Sequence, residues 1–173
     1  MPLTLLLGGA RSGKSSLALE LARASGAPVV FVATGEAGDD EMADRIARHR
    51  RERPAEWTTV EEPQHLSAAL AGAAGDACLI VDCLSLWVAN VLERPAGAIE
   101  AEAAEAAQTA AARPGRTVAV SNEVGMGVVP ASSAGRAYRD VLGRVNAIWA
   151  EAAAEAYLVV AGRALRLGEP PRG

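Results

Sequence analysis

Gly8-Gly9-Ala10-Arg11-Ser12-Gly13-Lys14-Ser15 follows a short apolar run, Leu3 to Leu7, and precedes Ser16 to Ala24, which has helical character. The octet has the form G-x-x-x-x-G-K-[ST] and stands between strand and helix, where its mechanism requires it. Glycines allow successive backbone N–H groups to converge on phosphate oxygens, and the positive end of the following helix reinforces them. In such a loop Lys14 reaches the terminal phosphates and the Ser15 hydroxyl a bound Mg²⁺. An ordinary glycine-rich turn is the competing reading, yet with one lysine in the chain the pattern arises by chance only on the order of 10⁻³ times per sequence. Arg11, inside the loop, either adds a phosphate contact or faces solvent.

Outward from this loop, apolar runs recur at Pro28 to Ala33, Cys78 to Asp82, Thr117 to Ser121 and Tyr157 to Ala161, separated by stretches of helical period. That alternation predicts an α/β fold of the P-loop NTPase type, a mostly parallel sheet with helices on both faces. Trp57 to Val60 is a weaker strand, and Ala164 to Leu167 turns back as an antiparallel edge. Ser133 to Ala156 reads as one long helix whose Tyr138, Val141, Leu142, Val145, Ile148 and Trp149 face the core. Ala96 to Ala112 reads as a solvated alanine-rich helix. Leu79-Ile80-Val81-Asp82 ends a strand in a carboxylate suited to Mg²⁺, and Val32-Ala33-Thr34-Gly35 leaves its strand at the ligand edge of a parallel sheet.

The chain has 173 residues, enough for one nucleotide-binding catalytic domain over 1–168 with a loose tail at 169–173. Aromatic residues supply 3%, which argues against a nucleic-acid stacking platform, and a net charge of −4 provides no basic field for nucleic acid or anionic membrane. Cys78 and Cys83 fit no zinc or redox spacing and read as reduced, buried thiols. The first residues lack the basic and apolar regions of a signal peptide, and no run approaches the ~18 apolar residues of a membrane span. A cytoplasmic protein is expected.

The 17 basic residues are sixteen arginines and the single Lys14. Most of the arginine excess is compositional, but Asp39 to Pro54 concentrates it in one helix, acidic at its start and basic at its end, which Pro54 stops near Glu52. A solvated charged helix is the bland reading of this run. The sharper one rests on His49, which sits among Arg45, Arg48, Arg50, Arg51 and Arg53. Neighbouring positive charge disfavours the imidazolium and biases this histidine toward its neutral, nucleophilic form, with arginines beside it to receive a polyphosphate. His65, between Gln64 and Leu66 on an expected amphipathic helix, lacks that setting and reads as structural. The lone lysine, already placed in the loop, excludes the Asn-Lys-x-Asp guanine-reading motif, and Leu84-Ser85-Leu86-Trp87 only begins like the transporter-ATPase signature.

Taken together, the octet, Ala33-Thr34, Asp39-Asp40-Glu41-Met42, Arg45-Ile46 with His49, Arg53-Pro54, Asn122-Glu123-Val124-Gly125-Met126-Gly127-Val128-Val129-Pro130 and Gly143-Arg144-Val145-Asn146 resemble the bifunctional adenosylcobinamide kinase/adenosylcobinamide-phosphate guanylyltransferase family. Agreement runs in order from residue 3 to about 162. The resemblance implies two successive reactions of cobalamin assembly. ATP or GTP phosphorylates the aminopropanol hydroxyl of adenosylcobinamide, and GMP is then transferred from GTP to that phosphate through a guanylylated histidine, releasing pyrophosphate. The histidine falls on His49. The nucleotide contacts fall on Gly8 to Ser15, on Ala33, Thr34 and Gly35, on Arg50, Arg51, Glu52 and Arg53, and on Glu61 and Asp82, with Ser15 and Asp82 toward Mg²⁺. Lys14 is the second catalytic candidate, and a homotrimer is implied.

Glu123 either orients substrate or fixes its own loop. A tetrapyrrole lying on Trp57 or Trp87 is weighed against both being core. Two other functions stay open: a generic P-loop small-molecule kinase without covalent nucleotidylation, and a regulatory nucleotide-binding module.

Overall fold

A computed structural model of the chain describes residues 3–36, 38, 40–51 and 53–168. The expected tail at 169–173, together with Asp39 and Glu52, lies outside the described residues.

Seven strands form one sheet: β1 (Leu3–Gly8), β2 (Val29–Ala33), β3 (Thr58–Glu61), β4 (Cys78–Asp82), β5 (Thr117–Asn122), β6 (Glu155–Val160) and β7 (Arg163–Leu167). Their order is β3-β2-β4-β5-β1-β6-β7, and only the β6/β7 pair is antiparallel. The central strands are continuous apolar runs because both faces are covered. All six residues of β1 are buried, with Leu3, Leu5 and Leu7 facing one core cluster and Leu6 the other.

The helices are α1 (Lys14–Arg23), α2 (Asp40–Arg51), α3 (Leu66–Gly72), α4 (Leu84–Val91), α5 (Ala96–Ala112) and α6 (Ser133–Ala152). Residues of α3, α4, α5 and α6 build the larger core layer, and α1 covers the opposite face.

Two helices differ from expectation. The alanine-rich α5 is not solvated all round: Ile99, Ala103, Ala106, Ala107 and Ala110 are buried in its contact with α3 and α6. Methyl side chains let these helices approach closely, so the stripe is core without looking strongly apolar. The α6 helix begins on Ser132, whose hydroxyl accepts from the Gly135 N–H at 3.1 Å, but it ends at Ala152 rather than Ala156. There the Ala154 N–H donates to the Leu3 carbonyl at 3.0 Å and Glu155 comes into register with Thr4. Ladder pairing with β1 overrides the helix propensity of Ala153, Ala154 and Ala156.

The register brings the carboxyl ends of the strands to one edge. Gly8 is level with Asn122, and Ala33 with both Glu61 and Asp82. In an open parallel sheet that edge is where ligands bind.

Candidate active site

The octet leaves β1 at this edge and turns sharply into α1. Gly8 has φ +154, and a Cβ there would lie 2.3 Å from the Val159 carbonyl oxygen, so only glycine fits between β1 and β6. Gly13 has φ +101, and a Cβ on it would come within 3.2 Å of Gly162 Cα. That proximity is fixed by a hydrogen bond from the Gly162 N–H, in the β6–β7 turn, to the Ser12 carbonyl at 2.8 Å. Lys14, only 6% exposed, donates from Nζ to the Gly9 carbonyl at 2.6 Å and lies 3.4 Å from Ser12 Oγ. Its ammonium is thereby held within the loop that it would serve.

Thr34, fully buried at the end of β2, binds the residue that follows Asp82. Its Oγ1 accepts from the Cys83 N–H at 2.8 Å and donates to the Cys83 carbonyl at 2.7 Å. Asn90 of α4 donates from Nδ2 to the Thr34 carbonyl at 2.7 Å. Thr34 therefore builds the wall and is not exposed to it. Burial pushes the Cys83 thiol up to about 11, so it remains protonated at neutral pH. Both cysteines are free and buried, as expected.

The far wall comes from α2 and β3. Arg50 pairs with Glu61. The Arg53 guanidinium stacks 3.6 Å from the centre of the Phe31 ring and reaches Thr59 Oγ1 at 3.4 Å. Burial holds Arg53 below its ordinary value, while Asp82 opposes that shift and Arg50 adds to it. Ile46 Cδ1 would lie 3.5 Å from a Cβ at Gly35, which shows how closely α2 leans on the end of β2.

These walls enclose a cleft of about 600 Å³. Of the sequence-derived candidates, Ala10 to Ser15, Ala33, Gly35, Arg50, Arg53, Glu61 and Asp82 line it. Gly8 is buried at the base of the loop, Gly9 is exposed with its carbonyl accepting from Lys14, and Arg51 is exposed outside the lining. His49 lies on the α2 backbone between Arg48 and Arg50, which both line the cleft. The His49 side chain, like the whole of Glu52, lies outside what the structure describes.

Sequence reasoning omitted Asp44, Leu86 and Val120 from the lining. It also gave no role to Asn122, although the Asn-Glu-Val-Gly-Met-Gly stretch begins there. Glu123 accepts the Gly125 N–H at 2.5 Å, which favours the loop-fixing reading. His65 is not within a helix but immediately precedes α3, and its N–H donates to Glu62 at 2.8 Å. Trp87 is fully buried core. Trp57 lines a separate hollow with Arg23 and Pro28 at the opposite edge of the sheet.

Among the described residues no group of three or more His, Cys, Asp and Glu side chains forms a metal cage. What the cleft provides is the Ser15 hydroxyl and the Asp82 carboxylate, two hard oxygen donors. That set fits Mg²⁺, which takes one or two protein oxygens and completes its shell with phosphates and water.

A family model described as cobinamide kinase / cobinamide phosphate guanyltransferase matches residues 4–167. The chain belongs to this family. Within the cobinamide kinase / cobinamide phosphate guanyltransferase family it is 46% identical over 170 residues to the bifunctional adenosylcobalamin biosynthesis protein CobP of Pseudomonas aeruginosa, covering 96% of this chain and 98% of that one. Against the bifunctional adenosylcobalamin biosynthesis protein CobU of Escherichia coli, identity is 39% over 178 residues, covering 94% and 98%. Among solved structures, a prototypical ATPase from the type III secretion system of pathogenic bacteria is similar over 91% of this chain and 50% of its own, with a TM-score of 0.53 and 11% identity. This last likeness shows a shared fold and nothing of the reaction.

Proposed function

We propose that the protein catalyses both reactions of its family in the cleft at the carboxyl edge of the sheet. It phosphorylates adenosylcobinamide with ATP or GTP, then transfers GMP from GTP to adenosylcobinamide phosphate, giving adenosylcobinamide-GDP and pyrophosphate. The observation that carries this reading is convergence. In a chain matched to the family over residues 4–167, the loop from Ala10 to Ser15, Asp82, and Arg48 and Arg50 of α2 line one cleft.

In the kinase step the loop N–H groups and Lys14 neutralise charge on the transferring phosphoryl group. In the guanylyl step His49 attacks the α-phosphorus of GTP, a histidine–phosphorus bond forms, and pyrophosphate departs into the same cradle. The adenosylcobinamide phosphate oxygen then displaces the histidine. Arg48 and Arg50, on either side of position 49, supply positive charge at the cleft wall. Ser15 and Asp82 would hold Mg²⁺, which supplies charge neutralisation on the phosphates.

The nucleotide-binding catalytic domain spans 1–168 in this reading, and the enzyme works as a cytoplasmic homotrimer. Support for a further copy lies in the exposed Val124, Met126, Val128 and Val129 after β5. Among the described residues no helix is long and apolar enough to cross a membrane.

Incubation with GTP labelled at the α-phosphate tests the central step. Acid-labile, alkali-stable label should appear on the protein, vanish in His49→Ala and persist in His65→Ala. Label surviving in His49→Ala removes the assigned nucleophile. Absence of label in the wild type leaves a simple kinase, and slow GTP hydrolysis without any cobinamide turnover leaves a regulatory module.

A further inference from the structure

Strand β5 lies between β1, which delivers the phosphate loop, and β4, which ends in Asp82. Val120 is level with Asp82 and Asn122 with Gly8. Val120 and Asn122, two apart on a strand, share a face, and both line the cleft. At ~4.8 Å per strand, Asn122 is separated from Glu61 on β3 by roughly 14 Å of sheet. It therefore faces the end of the cleft where the loop and Lys14 lie, away from the wall made by Arg50, Arg53 and Glu61.

The backbone around Asn122 is held by a buried side chain from another element. Asn146 of α6, 5% exposed, accepts the Ser121 hydroxyl on Oδ1 at 2.6 Å and donates from Nδ2 to the Asn122 carbonyl at 3.0 Å. One residue on, the Glu123 N–H donates to the Gly8 carbonyl at 3.1 Å. The end of β5 is tied on one side to the phosphate loop and on the other to α6. Among the described residues no protein group hydrogen-bonds the Asn122 side-chain amide.

We infer that the Asn122 side chain donates a hydrogen bond to the β- or γ-phosphate of the bound nucleoside triphosphate, and that Asn146 is the positioning residue that aims it. An amide is neutral, so it adds a directed donor beside Lys14 without further charge, and it can follow a phosphoryl oxygen as bonds change. Asn146 uses both ends of its amide at once. Asn146→Asp keeps the acceptor for Ser121 but places an oxygen against the Asn122 carbonyl.

The inference rests on the proposed use of GTP, and its test separates the two. Affinities for GTP and for GMP are measured by calorimetry on the full chain, alongside turnover of cobinamide. Asn122→Ala should weaken GTP by roughly ten- to a hundredfold, the range for a hydrogen bond to a charged group, and leave GMP unchanged. Asn146→Asp should shift the same GTP-to-GMP ratio in the same direction, and combining it with Asn122→Ala should add nothing to Asn122→Ala alone. Ser121→Ala, which removes only the bond to Oδ1, should leave the ratio near wild type.

An unchanged ratio in Asn122→Ala overturns the phosphate contact, and Asn122→Ala alone decides this if the α6 variants do not fold. Additivity in the double variant overturns the positioning role, with Asn146→Ser substituting if Asn146→Asp is unfolded. Wild-type protein that neither binds GTP nor turns over cobinamide defeats the underlying function instead.

Discussion

The Thr34 hydroxyl holds both backbone polar groups of Cys83, accepting its N–H and donating to its carbonyl across 49 residues of sequence. This one side chain joins the end of β2 to the residue behind Asp82. Thr34→Val keeps shape and removes both bonds, leaving the buried Cys83 N–H unpaired and its carbonyl with only the Trp87 N–H at 3.2 Å, at a cost of roughly 1–3 kcal/mol. Thermal unfolding should fall by about 2–10 °C, with a loss of turnover that exceeds the loss of nucleotide affinity. Thr34→Ser should restore most of both, and a Thr34→Val protein of wild-type Tm and turnover would show that the bridge is dispensable.

Lys14 is enclosed by the loop around it, with its ammonium 2.6 Å from the Gly9 carbonyl. Arginine keeps the charge but brings a planar fork too broad for that space. Lys14→Arg should lose at least about 10²-fold in turnover of both the kinase and the guanylyl reactions, measured separately with cobinamide and cobinamide phosphate. Near-normal rates would mean that the loop needs only charge.

Arg113 acts on stability at the other edge of the sheet. Its guanidinium donates to the carbonyls of Leu70, Ala73 and Ala77, and also to that of Ala74, closing the chain that runs from α3 to β4. Arg113→Met should cost roughly 2–4 kcal/mol in urea denaturation while GTP affinity stays within about twofold. A parallel fall in affinity at full occupancy of the folded state would contradict this separation of roles.

Alkali should destabilise the fold. The Cys83 thiol is raised from 9.0 to about 11 by burial, then by Asp82, and the Tyr138 hydroxyl from 10.0 to about 12, chiefly by burial. For a group raised on folding, the unfolded chain loses its proton first. The associated stability is complete below the unfolded value and drains away as pH rises through the folded one. Urea midpoints should therefore decline between about pH 9 and 11. Cys83→Ala should flatten the first part of that decline, and an identical slope in this variant would assign it elsewhere.

The strands were legible because burial on both faces forces near-continuous apolar runs, and the octet because its chemistry permits few other residues. Local sequence misled where the deciding contact was remote. Nothing within Ala150 to Ala156 announces that Leu3 will accept the Ala154 N–H. Alanine hid the buried face of α5, since a methyl group is at home in core and solvent alike. Thr34 read as a loop residue at the ligand edge, whereas its partner Cys83 lies on a different strand end. Asn146 was visible as part of a motif, but its grip on Ser121 and Asn122 exists only after α6 packs on the sheet.

The phosphate loop is made long before its supports. β1 is flanked by β5 and β6, and the loop is braced by Gly162, so residues 8–15 wait for about 150 more before their surroundings exist. A nascent chain thus carries the loop through that whole interval without the strands that brace it, and nucleotide can act as a ligand only once β5, β6 and Gly162 have been made.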